Sequence, residues 1–160
     1  MKSRLIVPAI STIAVAALLV HGGAAKTRAK NGCSNATLEG TYGLRSTGTV
    51  ASGPTAGPIG IVGIISYDGA GQLTATLTQR VSGASGPTTL EKVPYVGTYS
   101  VGPDCSVDDV WHNLSNGTSS AHESAIVDHG NGFFIIGTSA GPSIVTGEAR
   151  KQFPAHDDRN

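Results

Sequence analysis

The links between the apolar segments of this chain are short and rich in glycine and proline, so none of them can hold a crossover helix. Runs of valine, isoleucine, threonine and tyrosine alternate with turn pairs such as Asp68-Gly69 and Asn116-Gly117, a pattern typical of strands and hairpins. Parallel neighbours would need a crossover of a dozen or more residues. Adjacent strands are therefore predicted to be mostly antiparallel.

The spacing of these runs predicts eight strands. Their ranges are 37–47, 59–67, 72–81, 93–101, 106–114, 119–128, 133–138 and 144–151. Eight antiparallel strands would leave open edges unless the sheet closes on itself. The sequence therefore favours an all-β, eight-stranded antiparallel up-and-down barrel, with a two-sheet β-sandwich as the alternative.

The first 25 residues have the order of a secretory signal peptide. Lys2 and Arg4 precede an apolar run over 5–20, and small residues end at Ala25. The alternative is an uncleaved anchor, for which the apolar run is short. The predicted organisation is a signal peptide (1–25), an N-terminal arm (26–36), a β-barrel (37–152) and a flexible tail (153–160). We therefore expect a secreted or periplasmic protein with no membrane span after cleavage.

Two cysteines, Cys33 and Cys105, are the only ones in the chain. An exported protein reaches an oxidising compartment, where paired cysteines usually form a bridge. A redox-active pair is the alternative, but its typical C-x-x-C spacing is absent. A structural disulfide is therefore predicted.

The tripeptide Gly-Thr-Tyr occurs at 40–42 and again at 97–99, each time within ten residues of a cysteine. Both copies fall in predicted strands, the first and the fourth. Each glycine would permit a bend or close packing, and the tyrosine two residues later would share its face. The bridge is then expected to fasten the entering arm to a strand-end turn, at one end of the barrel.

The stretches "CSNATLEGTYG", "SYDGAGQLT", "GTYSVGPDCS", "AIVDHGNGFFII" and "TGEARKQ" together resemble a family of exported bacterial proteins. The likeness spans most of 33–152. That family is in turn similar to the barrel of allene oxide cyclases and dirigent proteins. The resemblance implies the barrel fold, but it carries no catalytic residue over to this chain, and a shared fold does not fix a function.

Several side chains are candidates for chemistry. Ser139 in "GTSAGP" fits G-x-S-x-G, but the strand-turn-helix context of a nucleophile is missing, which favours an exposed hairpin loop. A two-residue turn at Asn116-Gly117 would place His112 and His122 on opposite faces, and His112 diagonal to Glu123. That pair is an acid–base hypothesis, with a surface hydrogen bond as the alternative.

No metal site or cofactor is predicted. Asp128 and Asn131 could contact calcium, but turn chemistry explains both. After loss of Lys2 and Arg4, nine basic side chains face eleven acidic ones, with no basic stripe, so nucleic acid is not expected as a partner. A homo-oligomer remains open.

Eight-stranded barrels are either filled by side chains or hold one small ligand. The many small residues on inward positions suggest a cavity here. The residues predicted to line it are Ile61, Ile65, Leu73, Ala75, Leu77, Phe133 and Ile135. The leading hypothesis is an exported barrel that binds a small apolar ligand. The alternatives are a cyclase- or dirigent-like enzyme that steers a reactive substrate, and a structural or cell-surface interaction protein.

Overall fold

Eight antiparallel strands close into a barrel in which each strand pairs with its neighbours in sequence and β1 pairs with β8. The computed structural model describes residues 32–83 and 86–153. The strands are β1 Gly40–Val50, β2 Gly57–Tyr67, β3 Gln72–Gly83, β4 Gly86–Val101, β5 Ser106–Asn113, β6 Ser119–Val127, β7 Gly132–Gly137 and β8 Ser143–Lys151. The predicted up-and-down barrel is confirmed, and the sandwich alternative is wrong.

Most predicted strand boundaries differ from the structure by at most two residues, and the two ends of β1 and the β3–β4 connection differ more. Asn35–Leu38 forms a 3₁₀ turn and β1 begins only at Gly40, because Ser34 and Thr37 bond reciprocally at the start of that turn. The expected loop over 82–92 is mostly strand, since β3 and β4 continue as a long hairpin with a register shift near Leu77 and Gln79.

The predicted signal peptide, the arm as far as residue 31 and the tail from residue 154 lie outside the described residues. Within the described ranges, no helix has the length and hydropathy needed to cross a membrane.

One end of the barrel, here called the lower end, is sealed by aromatic side chains. This aromatic floor consists of Tyr42, Tyr67, Tyr99 and Phe133, all at most 5% exposed. The Tyr67 ring meets Tyr99 edge-on with centroids 4.8 Å apart, and it meets Tyr42 at 5.7 Å, distances that are favourable for aromatic pairs. The two tyrosines of the repeated tripeptide therefore converge on one ring.

The glycines of that tripeptide serve two different needs. Gly40 has a φ of +130°, a conformation that favours glycine, where the chain turns into β1. A Cβ on Gly97 would collide with the carbonyl oxygen of Val110 on β5, so glycine allows the two strands to approach closely.

The segment before β1 covers the aromatic floor. Leu38 is 1% exposed, and the side chain of Asn35 accepts the amide of Val101 at 2.9 Å. A disulfide joins Cys33 to Cys105 in the turn between β4 and β5. The predicted bridge is confirmed, and it fixes the entering segment across the lower end.

The opposite, upper end is open. Inward positions there are partly exposed, whereas those of the floor are sealed. We call these upper apolar residues the mouth: Ile59, Ile61, Val81 and Val145. In the described part of the chain, these inward apolar side chains are therefore less well covered than those of the aromatic floor.

Candidate functional site

Polar side chains occupy inward positions of two adjacent strands, between the mouth and the aromatic floor. Alternation along β5 turns Val107, Asp109, Trp111 and Asn113 into the barrel. On β6, His122 lies directly opposite Asp109 in the register. We call Asp109, Trp111, His122 and Ser124 the inner polar patch.

His122 and Asp109 form the centre of this patch. The distance from His122 Nδ1 to Asp109 Oδ1 is 2.8 Å, and the side chains are 18% and 0% exposed. An ionised carboxylate can only accept, so with Asp109 ionised the proton lies on Nδ1. In the neutral imidazole this leaves Nε2 as a free acceptor. The imidazole also meets the Trp111 ring at a centroid distance of 4.8 Å.

Three buried polar atoms have no hydrogen-bond partner among the described residues: Asp109 Oδ2, Trp111 Nε1 and Ser124 Oγ. All three belong to the inner polar patch. A buried polar atom left without a partner costs about 1–3 kcal/mol. Such atoms are uncommon in native proteins, and each needs an explanation such as strain, a catalytic role, or a water molecule or ion that completes the bonding.

Burial dominates the electrostatics of the patch. It raises the pKa of Asp109 above its ordinary value of 3.8, against the opposing effects of the His122 hydrogen bond, the His122 charge and the indole N–H of Trp111. That N–H therefore lies near the carboxyl group of Asp109, but its geometry falls short of a hydrogen bond. Burial also raises the pKa of Tyr67 well above 10, with the negative charge of Asp109 as the next cause. Perturbed carboxyls in a protein interior are candidates for function.

A second polar group lies above the patch, closer to the mouth. The hydroxyl oxygen of Tyr95 accepts Gln79 Nε2 at 2.6 Å and Asn113 Nδ2 at 3.2 Å. With its oxygen engaged as acceptor, the Tyr95 hydroxyl can still donate its own proton. The rings of Tyr95 and Trp111 meet edge-on with centroids 6.0 Å apart, which brings this second polar group into contact with the inner polar patch.

The residues predicted to line a cavity all face the barrel interior, but at different depths. Ile61 lies at the mouth and is only partly buried. The other six are 0–8% exposed within the core: Ile65, Leu73, Ala75, Leu77, Phe133 and Ile135. The structure thus brings Phe133 to the aromatic floor and Ile135 beside Ser124, its register partner on β6.

The hypothesis of a His112–Glu123 pair is wrong. Asn113 pairs with Thr118 around a four-residue turn, and His112 lies opposite Ser119, to which it is hydrogen-bonded at 2.7 Å. Glu123 lies opposite Asp108, further along the strand. The register is shifted by two from the expected one because the side chains of Asn113 and Asn116 accept backbone amides inside the longer turn.

The two histidines do face opposite sides of the sheet, as predicted. The same alternation separates Asp108, outside, from Asp109, inside. Strand alternation alone predicts that these neighbours lie on opposite faces, but it does not show which carboxylate faces inward. The available signal was the run Val107, Asp109, Trp111: a charged residue between two large apolar ones on one face of a strand.

The other candidates do not converge. Ser139 lies in the β7–β8 loop, where its hydroxyl oxygen accepts the amide of Ala121. Asp128 and Asn131 belong to a turn closed by an amide-to-carbonyl bond between them. Over 32–83 and 86–153, no three histidine, cysteine, aspartate or glutamate side chains are grouped as metal ligands would be.

A groove of about 730 Å³ also crosses the outside of β1, β6, β7 and β8. Two exposed apolar side chains, Phe134 and Ile136, lie in it beside the Arg45–Glu148 ion pair. In this ion pair the Arg45 and Glu148 side chains are 2.9 Å apart, so the two charges engage each other.

Comparison with known proteins identifies no family for this chain. No protein-family model and no curated protein matches the chain. A redesigned β-barrel is 15% identical, with 74% of this chain and 94% of that chain covered and a TM-score of 0.49. A second redesigned barrel, mFAP1 bound to DFHBI, is 14% identical, with coverages of 73% and 97% and a TM-score of 0.49. At such low identity a shared barrel says nothing about a shared ligand, and the resemblance to exported bacterial proteins stays a prediction.

Proposed function

We propose that this protein binds one small, mainly apolar molecule inside the upper half of its barrel, with a polar group of that molecule held by the inner polar patch. The observation that carries the proposal is the set of three unpartnered buried atoms beside the His122–Asp109 pair. Trp111 Nε1 can only donate, ionised Asp109 can only accept, and Ser124 Oγ can do either. A hydroxyl group on the ligand can donate to Asp109 and accept from the other two, whereas a carbonyl group can accept from Trp111 and Ser124 only.

The mouth supplies the apolar part of the site. Ile59, Ile61 and Val81 face inward and remain partly exposed, so a ligand there would remove apolar surface from water at about 25 cal/mol per Å². An apolar wall with a few convergent polar groups is the usual composition of a small-molecule site. The sequence predicts an apolar ligand, and we now propose a mainly apolar ligand that has one polar end.

We further propose export, with cleavage after Ala25, because the disulfide suits an oxidising compartment. The intact mass of the protein recovered from the medium or periplasm should correspond to a chain that starts at Lys26. A full-length mass would contradict the export proposal and leave the binding proposal unaffected.

Native mass spectrometry of the protein purified from its own host tests the binding proposal. The expected result is a retained small molecule at one per chain. Ile61→Gln, which places a polar group in the mouth, should reduce the retained fraction at least tenfold. The matched control is Val62→Gln, at the neighbouring position, which points outward and is 62% exposed. Equal retention in both variants would contradict binding through the mouth.

A further inference from the structure

The inner polar patch contains the parts of a proton-transfer site as well as those of a binding site. His122 Nδ1 is held by Asp109 Oδ1 at 2.8 Å, and the imidazole is fixed against the Trp111 ring. Asp109 is fully buried and His122 is the more exposed partner. This is the arrangement in which a carboxylate fixes the tautomer and orientation of an imidazole whose other nitrogen faces the reacting molecule.

We propose that His122 is a general base that removes a proton from a carbon acid bound in the barrel, with Asp109 as its positioning residue. The inference rests on the proposed function, since it concerns the same bound molecule. The substrate class is a small, mainly apolar carbonyl compound with an acidic C–H bond next to the carbonyl. The reaction class is isomerisation without a cofactor.

The step balances without any other reactant. The C–H bond breaks, its proton goes to His122 Nε2, and its electron pair becomes part of an enolate whose charge lies on the carbonyl oxygen. The N–H donor of Trp111 and the hydroxyl of Ser124 are unpartnered in this patch and can stabilise that oxygen. In a substrate with a C=C bond β,γ to the carbonyl group, the enolate is a dienolate. His122 then returns the proton to its γ carbon, and the double bond moves into conjugation with the re-formed carbonyl group.

The low exposure of the patch explains why a base at this depth would remove a proton effectively. Positions below the patch are sealed by the floor, and the patch itself is at most 9% exposed apart from His122. Where little water is present, the interaction between fixed hydrogen-bond donors and a developing negative charge is stronger. No comparable histidine lies in the interior elsewhere, because the other histidines of the described ranges, His112 and His129, are exposed.

The test uses 5-nitrobenzisoxazole, an apolar probe that opens when a base removes its ring C–H proton. The N–O bond breaks and the electron pair ends on a coloured phenoxide, so both the base and the oxygen-stabilising donors are reported. The full mature protein is compared with Asp109→Asn/His122→Phe, which keeps an aromatic ring against Trp111 and leaves no unpaired buried charge. His112→Phe, on the outer face of β5, is the matched control.

The expected result is a loss of roughly 100-fold in the double variant, in the range of general base catalysis, with no change in His112→Phe. Asp109→Asn alone should lower the rate at least tenfold. It should also change the ¹⁵N NMR signature of the His122 tautomer, which a merely structural role of Asp109 would leave as in the parent.

Binding of the probe is followed separately through the fluorescence of Trp111, the only tryptophan of the chain. Saturable quenching with equal rates in parent and double variant would overturn the catalytic inference and leave the binding proposal standing. If the probe causes no quenching and the rates do not differ, the catalytic inference and the binding proposal are both overturned. A bare Nδ1 and a protonated Nε2 in the parent would also contradict the assignment of His122 as base.

Discussion

The imidazole of His122 and the carboxylate of Asp109 meet inside the barrel, 2.8 Å apart, at directly opposite positions of β5 and β6. The carboxylate has no exposed surface, and its second oxygen has no partner among the described residues. Keeping such a group costs stability, which is a common feature of functional sites.

The first prediction concerns pH. Burial in the folded protein raises the pKa of the Asp109 carboxyl above its ordinary value of 3.8. The folded state therefore holds the carboxyl proton more tightly than the unfolded state. The contribution of Asp109 to the free energy of unfolding is fully present below pH 3.8, the pKa of the unfolded state. It is lost as the pH rises through the higher pKa that Asp109 has in the folded state. Chemical denaturation at a series of pH values should show this fall in the parent and a flatter profile in Asp109→Asn. Parallel profiles would contradict the assignment.

The second prediction concerns the bridge. Cys33 and Cys105 are 72 positions apart, and joining them constrains the unfolded chain by about 4 kcal/mol in the loop-entropy model. The double variant Cys33→Ala/Cys105→Ala should lose about that free energy of unfolding in a urea titration. Retention of full stability would show that the segment before β1 needs no fastening.

The third prediction concerns the packed core on β3. Ala75 is 6% exposed and pairs with Ile65 on one side and Tyr95 on the other. Ala75→Leu should overpack this region and cost about 1–3 kcal/mol. An unchanged or higher stability would mean that a cavity lies along β3, as the sequence alone suggested, and would move the proposed site to that strand.

The fourth prediction concerns the repeated tripeptide. The Tyr42 hydroxyl donates to the Gly130 carbonyl at 2.6 Å, and burial, followed by the nearby Tyr99, raises the pKa of Tyr42 to about 12. Tyr42→Phe should cost about 1–3 kcal/mol, because the buried carbonyl loses its donor. The matched change Tyr99→Phe removes a longer bond of 3.2 Å to Asn35 and should cost less. The reverse order would contradict this account of the floor.

Much of the architecture could be predicted because it depends on local signals. Alternation in Leu73, Ala75 and Leu77 gave the buried face of β3, and all three are at most 6% exposed. Turn pairs such as Asp68-Gly69 located the strand ends, and the absence of room for crossovers gave antiparallel order.

The candidate site was harder to predict, for two physical reasons. The β5–β6 register depends on side chains of Asn113 and Asn116 that lengthen the turn, and a shift of this kind changes every cross-strand partner. In addition, a carboxylate is expected on the outside of a barrel. Asp109 is inside because its position in the alternation requires it, and only the structure shows that His122 compensates for part of the cost.

The most direct test of ligand binding at the inner polar patch is a high-resolution crystal structure of the protein purified from its own host. The account predicts electron density for a small organic molecule with a polar atom within hydrogen-bond distance of at least two of Asp109 Oδ2, Trp111 Nε1 and Ser124 Oγ. The apolar part of that molecule should reach toward Ile61. Density showing these three atoms bonded only to one another or to isolated waters, with bulk solvent in the mouth, would contradict it.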